Sequence, residues 1–133
     1  MEKIYYDQLP GFEGVYLEDS YVLDIKTDAN SVDIFLEAVL TEKHPQYTHP
    51  KPNEQYCYRK THLHFSNVKK VAWAQKSMHP YEDANGEVDY GNIDEFYLVD
   101  GHYYLAGDWG ALNIVSSKPI VEIAVSSDTP MVK

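Results

Sequence analysis

Two histidines one residue apart, His62 and His64, sit in "THLHF", a stretch of aromatic, threonine and leucine residues. Side chains of an extended strand alternate between faces, so both imidazoles project from the same side. A strand can offer two nitrogens to one transition-metal ion in this way, and His44, His49, His79 or His102 is available as a third ligand. The plainer expectation is a solvated sheet face carrying Tyr56, Tyr58, Lys60, His62 and His64, with Leu63 and Phe65 opposite. A second stretch is acidic. "YEDANGEVDYGNIDEFYLVDG", residues 81–101, holds seven carboxylates and neither lysine nor arginine. Counted from Asp83, the side chains of Asn85, Glu87 and Asp89 place oxygens at alternate positions, as a calcium loop does. Gly86, however, falls fourth rather than sixth, and the twelfth residue is Asp94 rather than glutamate. A helix–loop–helix calcium site is excluded; an irregular one stands beside the simpler reading of solvated turns.

Nucleophilic chemistry has less support. The lone cysteine, Cys57, lies between two tyrosines, where a small buried sheet residue is expected rather than a catalytic thiol. No GxSxG, P-loop, GxGxxG, HExxH or paired-cysteine motif is present. Neighbouring carboxylates such as Asp94 and Glu95 point to opposite faces of a strand and do not by themselves make an acid–base pair. An enzyme is therefore unsupported, and no cofactor is expected unless a divalent metal binds.

The elements that must position these residues are strands. Residues 21–27 alternate, with Tyr21, Leu23 and Ile25 on one face. Residues 32–41 fit both a strand and an amphipathic helix capped by Ser31; the short "DANS" turn before them favours a hairpin. Residues 42–55 carry Pro45, Pro50 and Pro52 and form a loop. Residues 56–65 and 68–74 read as strands interrupted by "SN", and 77–92 as an acidic turn region with Asn85-Gly86 at a type I′ turn. "IDEFYLVDGHYYLAG" is a hairpin about Asp100-Gly101, followed by a tight bend at "GDWG". Two further strands cover 111–116 and 120–125, with Pro119 at a strand start or edge. A first turn near residues 5–9 is also possible to form, and residues 126–133 are expected to fray. About eight short strands with turns at this spacing predict an all-β single domain over 1–133, an antiparallel sandwich or partly open barrel.

Charge narrows the class of partner. The 133 residues carry a net charge of −10, which argues against a nucleic-acid binder. The charge is segmental. Residues 1–42 hold ten acids and two lysines, 43–76 seven bases and one acid, and 77–117 eight acids with no lysine or arginine. The middle segment either neutralises its neighbours in the fold or leaves one face acidic for a basic partner. One cysteine, no apolar N-terminal core of about 7–15 residues and no long apolar run point to a cytoplasmic protein without a membrane span. Many of the twelve tyrosines lie beside acids. Tyrosine and tryptophan anchor interfaces, and carboxylates steer a basic partner. The expected binding surface is Tyr81, Glu82, Asp83, Glu87, Asp89, Tyr90, Asp94 and Glu95, with Tyr103 and Trp109 nearby. The function so expected is a non-enzymatic acidic protein-binding module; the alternative is a metal-binding protein or metal-dependent enzyme using His62 and His64 or the acidic loop.

The order of these elements, and the pattern Leu63-His-Phe65-Ser-Asn-Val68-Lys-Lys-Val71, resemble those of uncharacterised small bacterial single-domain β-proteins. Among these are immunity-type proteins of polymorphic toxin systems. The resemblance implies a cytosolic protein that binds and blocks a basic toxin, often a nuclease.

Overall fold

A computed structural model describes residues 2–84 and 86–125. Asn85 and the tail at 126–133, for which a turn and fraying were expected, lie outside the described residues. The chain runs through β1 (Ile4–Tyr5), a 3-10 turn (Tyr6–Gln8), β2 (Val15–Thr27), β3 (Ser31–Leu40), β4 (Cys57–Ser66) and β5 (Lys70–Lys76). It continues through β6 (Tyr81–Glu82), β7 (Val88–Asp89), β8 (Ile93–Val99), β9 (His102–Gly107), β10 (Gly110–Val115) and β11 (Ile120–Ile123). All pairings are antiparallel. One sheet has the order β1-β8-β9-β10-β5, a second β11-β4-β3-β2, and β6 with β7 makes a separate two-stranded hairpin. The expected all-β sandwich is thus the observed fold, and neither sheet closes into a barrel. No helix among the described residues is long and apolar enough to cross a membrane.

The two large sheets share one core. Val32, Ile34, Leu36, Ala38 and Leu40 of β3 meet Leu63 and Phe65 of β4, and against them lie Phe96, Tyr103, Leu105, Leu112 and Ile114 of the other sheet. Phe65 joins the layers, its ring 6.1 Å from that of Phe96 and 5.6 Å from that of Tyr103. Residues 32–41, for which helical and strand periods competed, are strand β3, paired residue for residue with β4. A central strand needs neighbours on both sides, and here Phe35 and Val39 are buried on the outer face as well. That double burial is why the apolar pattern was dense enough to imitate a helix.

β2 departs from the expected face. Val22 is fully buried while Tyr21 is exposed and Leu23 only half-buried, the reverse of the simple alternation. The pairing with β3 slips between Tyr16 and Tyr21 and again between Val22 and Asp24. Each slip inserts residues without partners and resets the phase of the strand. The buried Ser20 hydroxyl donates to the Leu17 carbonyl at 2.6 Å and closes the first bulge. Beyond it, Val22 exchanges backbone hydrogen bonds with Gly91 and Tyr90, both 2.8 Å, so β2 ties the second sheet to the approach to β8.

The hairpins follow the sequence signals. Asp100 and Gly101 both adopt positive φ, 50° and 77°, as a type I′ turn between β8 and β9 demands. At the "GDWG" bend a Cβ on Gly107 would overlap the Asn92 carbonyl, so only glycine fits. The proline-rich loop is held down by Arg59, a buried side chain of β4. Its guanidinium donates to the Gln46 carbonyl at 3.0 Å, to Thr48 Oγ1 at 3.2 Å and to Cys57 Sγ at 2.7 Å. Burial and the neighbouring Arg59 charge lower the pKa of His44 in the same loop. Cys57 is buried, as expected of a sheet residue.

Candidate functional site

Two polar constellations stand on the outer side of the β2–β3–β4 sheet. The outward row along β4 and the residue before it reads Tyr56, Tyr58, Lys60, His62, His64, while Cys57, Arg59, Thr61, Leu63 and Phe65 face inward. The solvated face expected from the sequence is therefore present. Tyr56 and Tyr58 belong to one constellation, His62 and His64 to the other, and Lys60, ion-paired with Glu37 of β3, separates them.

The first is an open cleft of about 530 Å³. Its walls come from the β2 bulge (Glu18, Asp19, Ser20, Tyr21), the entry to β4 (Gln55, Tyr56, Tyr58), the acidic hairpin (Tyr81, Asp89), Gly91 and Asn92, and Asp108 of the β9–β10 bend. Among the described residues, four carboxylates and four tyrosines line it, and no lysine, arginine or histidine does. Folding thus brings the two acidic segments of the sequence together, and the basic middle segment contributes only uncharged groups. The tyrosines form a connected wall: Tyr21 and Tyr58 lie 5.6 Å apart, Tyr58 and Tyr56 6.1 Å. The Asp19 charge, more than burial, raises the Tyr56 phenol above its ordinary pKa. Burial and then a hydrogen bond with Tyr21 raise that of Tyr58. Both phenols stay neutral beside the acidic lining.

Three contacts fix the far wall. Asn92 donates through Nδ2 to the Glu18 carbonyl at 2.8 Å and to Asp94 Oδ1 at 2.9 Å. The Trp109 indole N–H donates to the Asn92 carbonyl at 3.0 Å. Gly91, at φ 91°, has no Cβ, and Asp108 occupies the space one would need.

The expected binding surface is brought together only in part. Tyr81, 48% exposed, and Asp89 line the cleft. Glu82, Asp83 and Glu87 are exposed on the adjoining β6–β7 hairpin, where the Glu87 N–H donates to Asp83 Oδ1 at 3.0 Å. Asp94 and Glu95 are both exposed at a register slip that opens β8. Tyr90 packs against the core. Tyr103 and Trp109, expected near this face, are core residues, 3% and 0% exposed; Trp109 lies behind the cleft wall, bonded to Asn92, and presents no surface to a partner. Large aromatic side chains on β9 and in the bend fill the sandwich rather than its surface. The sequence reading missed Glu18, Asp19, Tyr21, Tyr56, Tyr58 and Asp108. The available signal was "LEDSY", which breaks the alternation of β2 with two acids and a serine.

The second constellation is Asp33, His62 and His64. His62 Nε2 and His64 Nδ1 each lie 2.6 Å from Asp33 Oδ1. Register explains it: Asp33 pairs with His64 across β3 and β4, and His62 pairs with Phe35. Burial alone would raise the Asp33 pKa, but hydrogen bonds from His64 and His62 outweigh it and lower the pKa. None of His44, His49, His79 and His102 joins this group; the third member is a carboxylate. The Asp83–Asp89 stretch forms no such cluster among the described residues.

Comparison with protein-family models, with curated proteins and with solved structures finds no match.

Proposed function

We propose that the protein is a non-enzymatic binding module of the cytoplasm whose acidic, tyrosine-lined cleft receives a basic segment of a protein partner. One observation carries this reading: among the described residues, four carboxylates converge on one cleft with four tyrosines and no cationic side chain. A cleft whose described lining is acidic, without a lysine, arginine or histidine, favours a cation from outside. Tyrosine rings offer flat, stiff surfaces on which an arginine guanidinium or lysine stem can lie. The exposed Glu82, Asp83 and Glu87 beside the cleft extend the field that steers such a partner. Inhibition of a basic toxin, the role implied by the immunity-type resemblance, is one form of this function.

The test uses a fluorescein-labelled arginine–glycine peptide and two variants of equal net charge. Asp19→Lys/Asp89→Lys reverses the cleft; Glu13→Lys/Glu95→Lys reverses exposed acids outside it. The cleft variant should weaken binding by about tenfold or more and flatten its salt dependence, and the control variant should do neither. Equal losses in both would mean diffuse attraction to net charge and would refute the cleft as the site.

A further inference from the structure

We infer that Asp33, His62 and His64 form a binding site for a divalent transition-metal ion of the zinc type, on the outer face of the β2–β3–β4 sheet. This goes beyond the cleft reading and does not depend on it.

The donor set comes first. Two imidazole nitrogens and one carboxylate oxygen suit zinc and its neighbours; calcium and magnesium take oxygen ligands throughout. The geometry comes second. The three ligand atoms lie within 4.8 Å of one another. Tetrahedral zinc with ligands at about 2.0–2.2 Å needs them roughly 3.3–3.5 Å apart. The two imidazole–carboxylate distances of 2.6 Å must therefore open by less than about one ångström, within reach of small side-chain rotations. The side chains are 22–31% exposed, open enough for an ion and a completing water to enter.

The support behind the ligands comes third. All three stand on paired strands, where the backbone ladder fixes their bases. The Phe35 ring lies flat against His62, centroids 4.6 Å apart and planes 11° apart, which sets the plane of that imidazole. On the other side of the ring, His62 Nδ1 faces Glu122 Oε1 of β11 at 3.9 Å. A metal on Nε2 leaves the proton of neutral His62 on Nδ1, where it points toward Glu122. A carboxylate behind a ligating histidine orients the ring and raises its basicity. At 3.9 Å the two atoms are an electrostatic contact and not a hydrogen bond, so Glu122 is assigned the positioning role for the zinc-bound state alone, where the Nδ1 proton is fixed. The sequence hinted at the histidine pair, but the two carboxylates arrive from other strands.

Zinc chloride titrated into untagged, chelator-treated full-length protein, in competition with a fluorescent zinc indicator, tests the site. One zinc should bind per chain. His62→Asn, His64→Asn and Asp33→Asn should each weaken it by about a hundredfold, and Glu122→Gln by about tenfold. His49→Asn and His102→Asn should leave it unchanged. Imidazole nitrogen resonances give a readout that needs no substitution: stoichiometric zinc should shift His62 Nε2 and His64 Nδ1 in the wild-type protein. Glu122→Gln should further shift His62 Nδ1 in the zinc-bound state, which a merely structural glutamate would not do. Absence of zinc binding, binding that survives loss of both His62 and His64, or unmoved His62 and His64 resonances would each overturn the assignment.

Discussion

The two constellations share the outward row of β4 yet are built on opposite principles. The Asp33–His62–His64 cluster stands on uninterrupted ladder, and its polar atoms face one another. The cleft stands on a bulge, a hairpin of two-residue strands and a bend, and its half-buried and exposed carboxylates line an open space together with tyrosines. Regular register delivers side chains at fixed spacing and suits ligands that must meet at one point. Irregular backbone converges on a space and suits a partner that fills it. The lesson is that each polar cluster inherits its chemistry from the backbone beneath it.

By that contrast, the cleft is the more fragile of the two. The largest effect should come from Trp109, buried beneath the cleft wall. Trp109→Ala should lower unfolding free energy by about 3–5 kcal/mol, measured by urea denaturation. Trp109→Phe keeps most of the volume but removes the bond to Asn92; it should cost less and still weaken peptide binding. Undiminished binding in Trp109→Phe would break the link between core and cleft.

A smaller effect is expected at Gly91. Its positive φ and the proximity of Asp108 make Gly91→Ala costly by about 1–3 kcal/mol. That variant should perturb the cleft while zinc binding at the other end of β4 stays as it was. Loss of both in a folded variant would mean that the two regions are one unit.

The smallest effect concerns pH. Burial and the Tyr21 hydrogen bond raise the Tyr58 pKa in the folded protein. A raised folded pKa gives stability that is whole below the unfolded tyrosine value of about 10 and fades as pH climbs toward the folded value. Stability followed from pH 8 upward should therefore fall above about pH 10, and less steeply in Tyr58→Phe. An unchanged slope would place the alkaline sensitivity elsewhere, with Tyr6, also raised by burial and by Glu18, the next residue to replace.

How much of this was legible in the sequence followed the same divide. Alternation and turn dipeptides announced β4, the β8–β9 hairpin and the sandwich, because those elements obey period two. The histidine pair was legible for the same reason. Asp33 was half legible: it shares the outward face of β3 with Phe35, but only the pairing with His64 places it at the cluster. The cleft was not legible as a site. The expected strand began at Tyr21, so Glu18 and Asp19, which stand on the β2 bulge, had no element to position them, and Asp108 reaches the same space from the opposite half of the chain. The burial of Trp109 and Tyr103 was not legible because an aromatic side chain beside acids fits a surface anchor and a core filler equally well in one dimension.

The most direct test of the cleft maps the basic peptide onto the protein by amide NMR. Titration of the nitrogen-15-labelled protein with the arginine–glycine peptide should move the amides of Ser20, Tyr21, Tyr56, Tyr81, Gly91 and Asn92 together, with one affinity. Small shifts scattered over the acidic surface, with those six amides unmoved, would contradict the account.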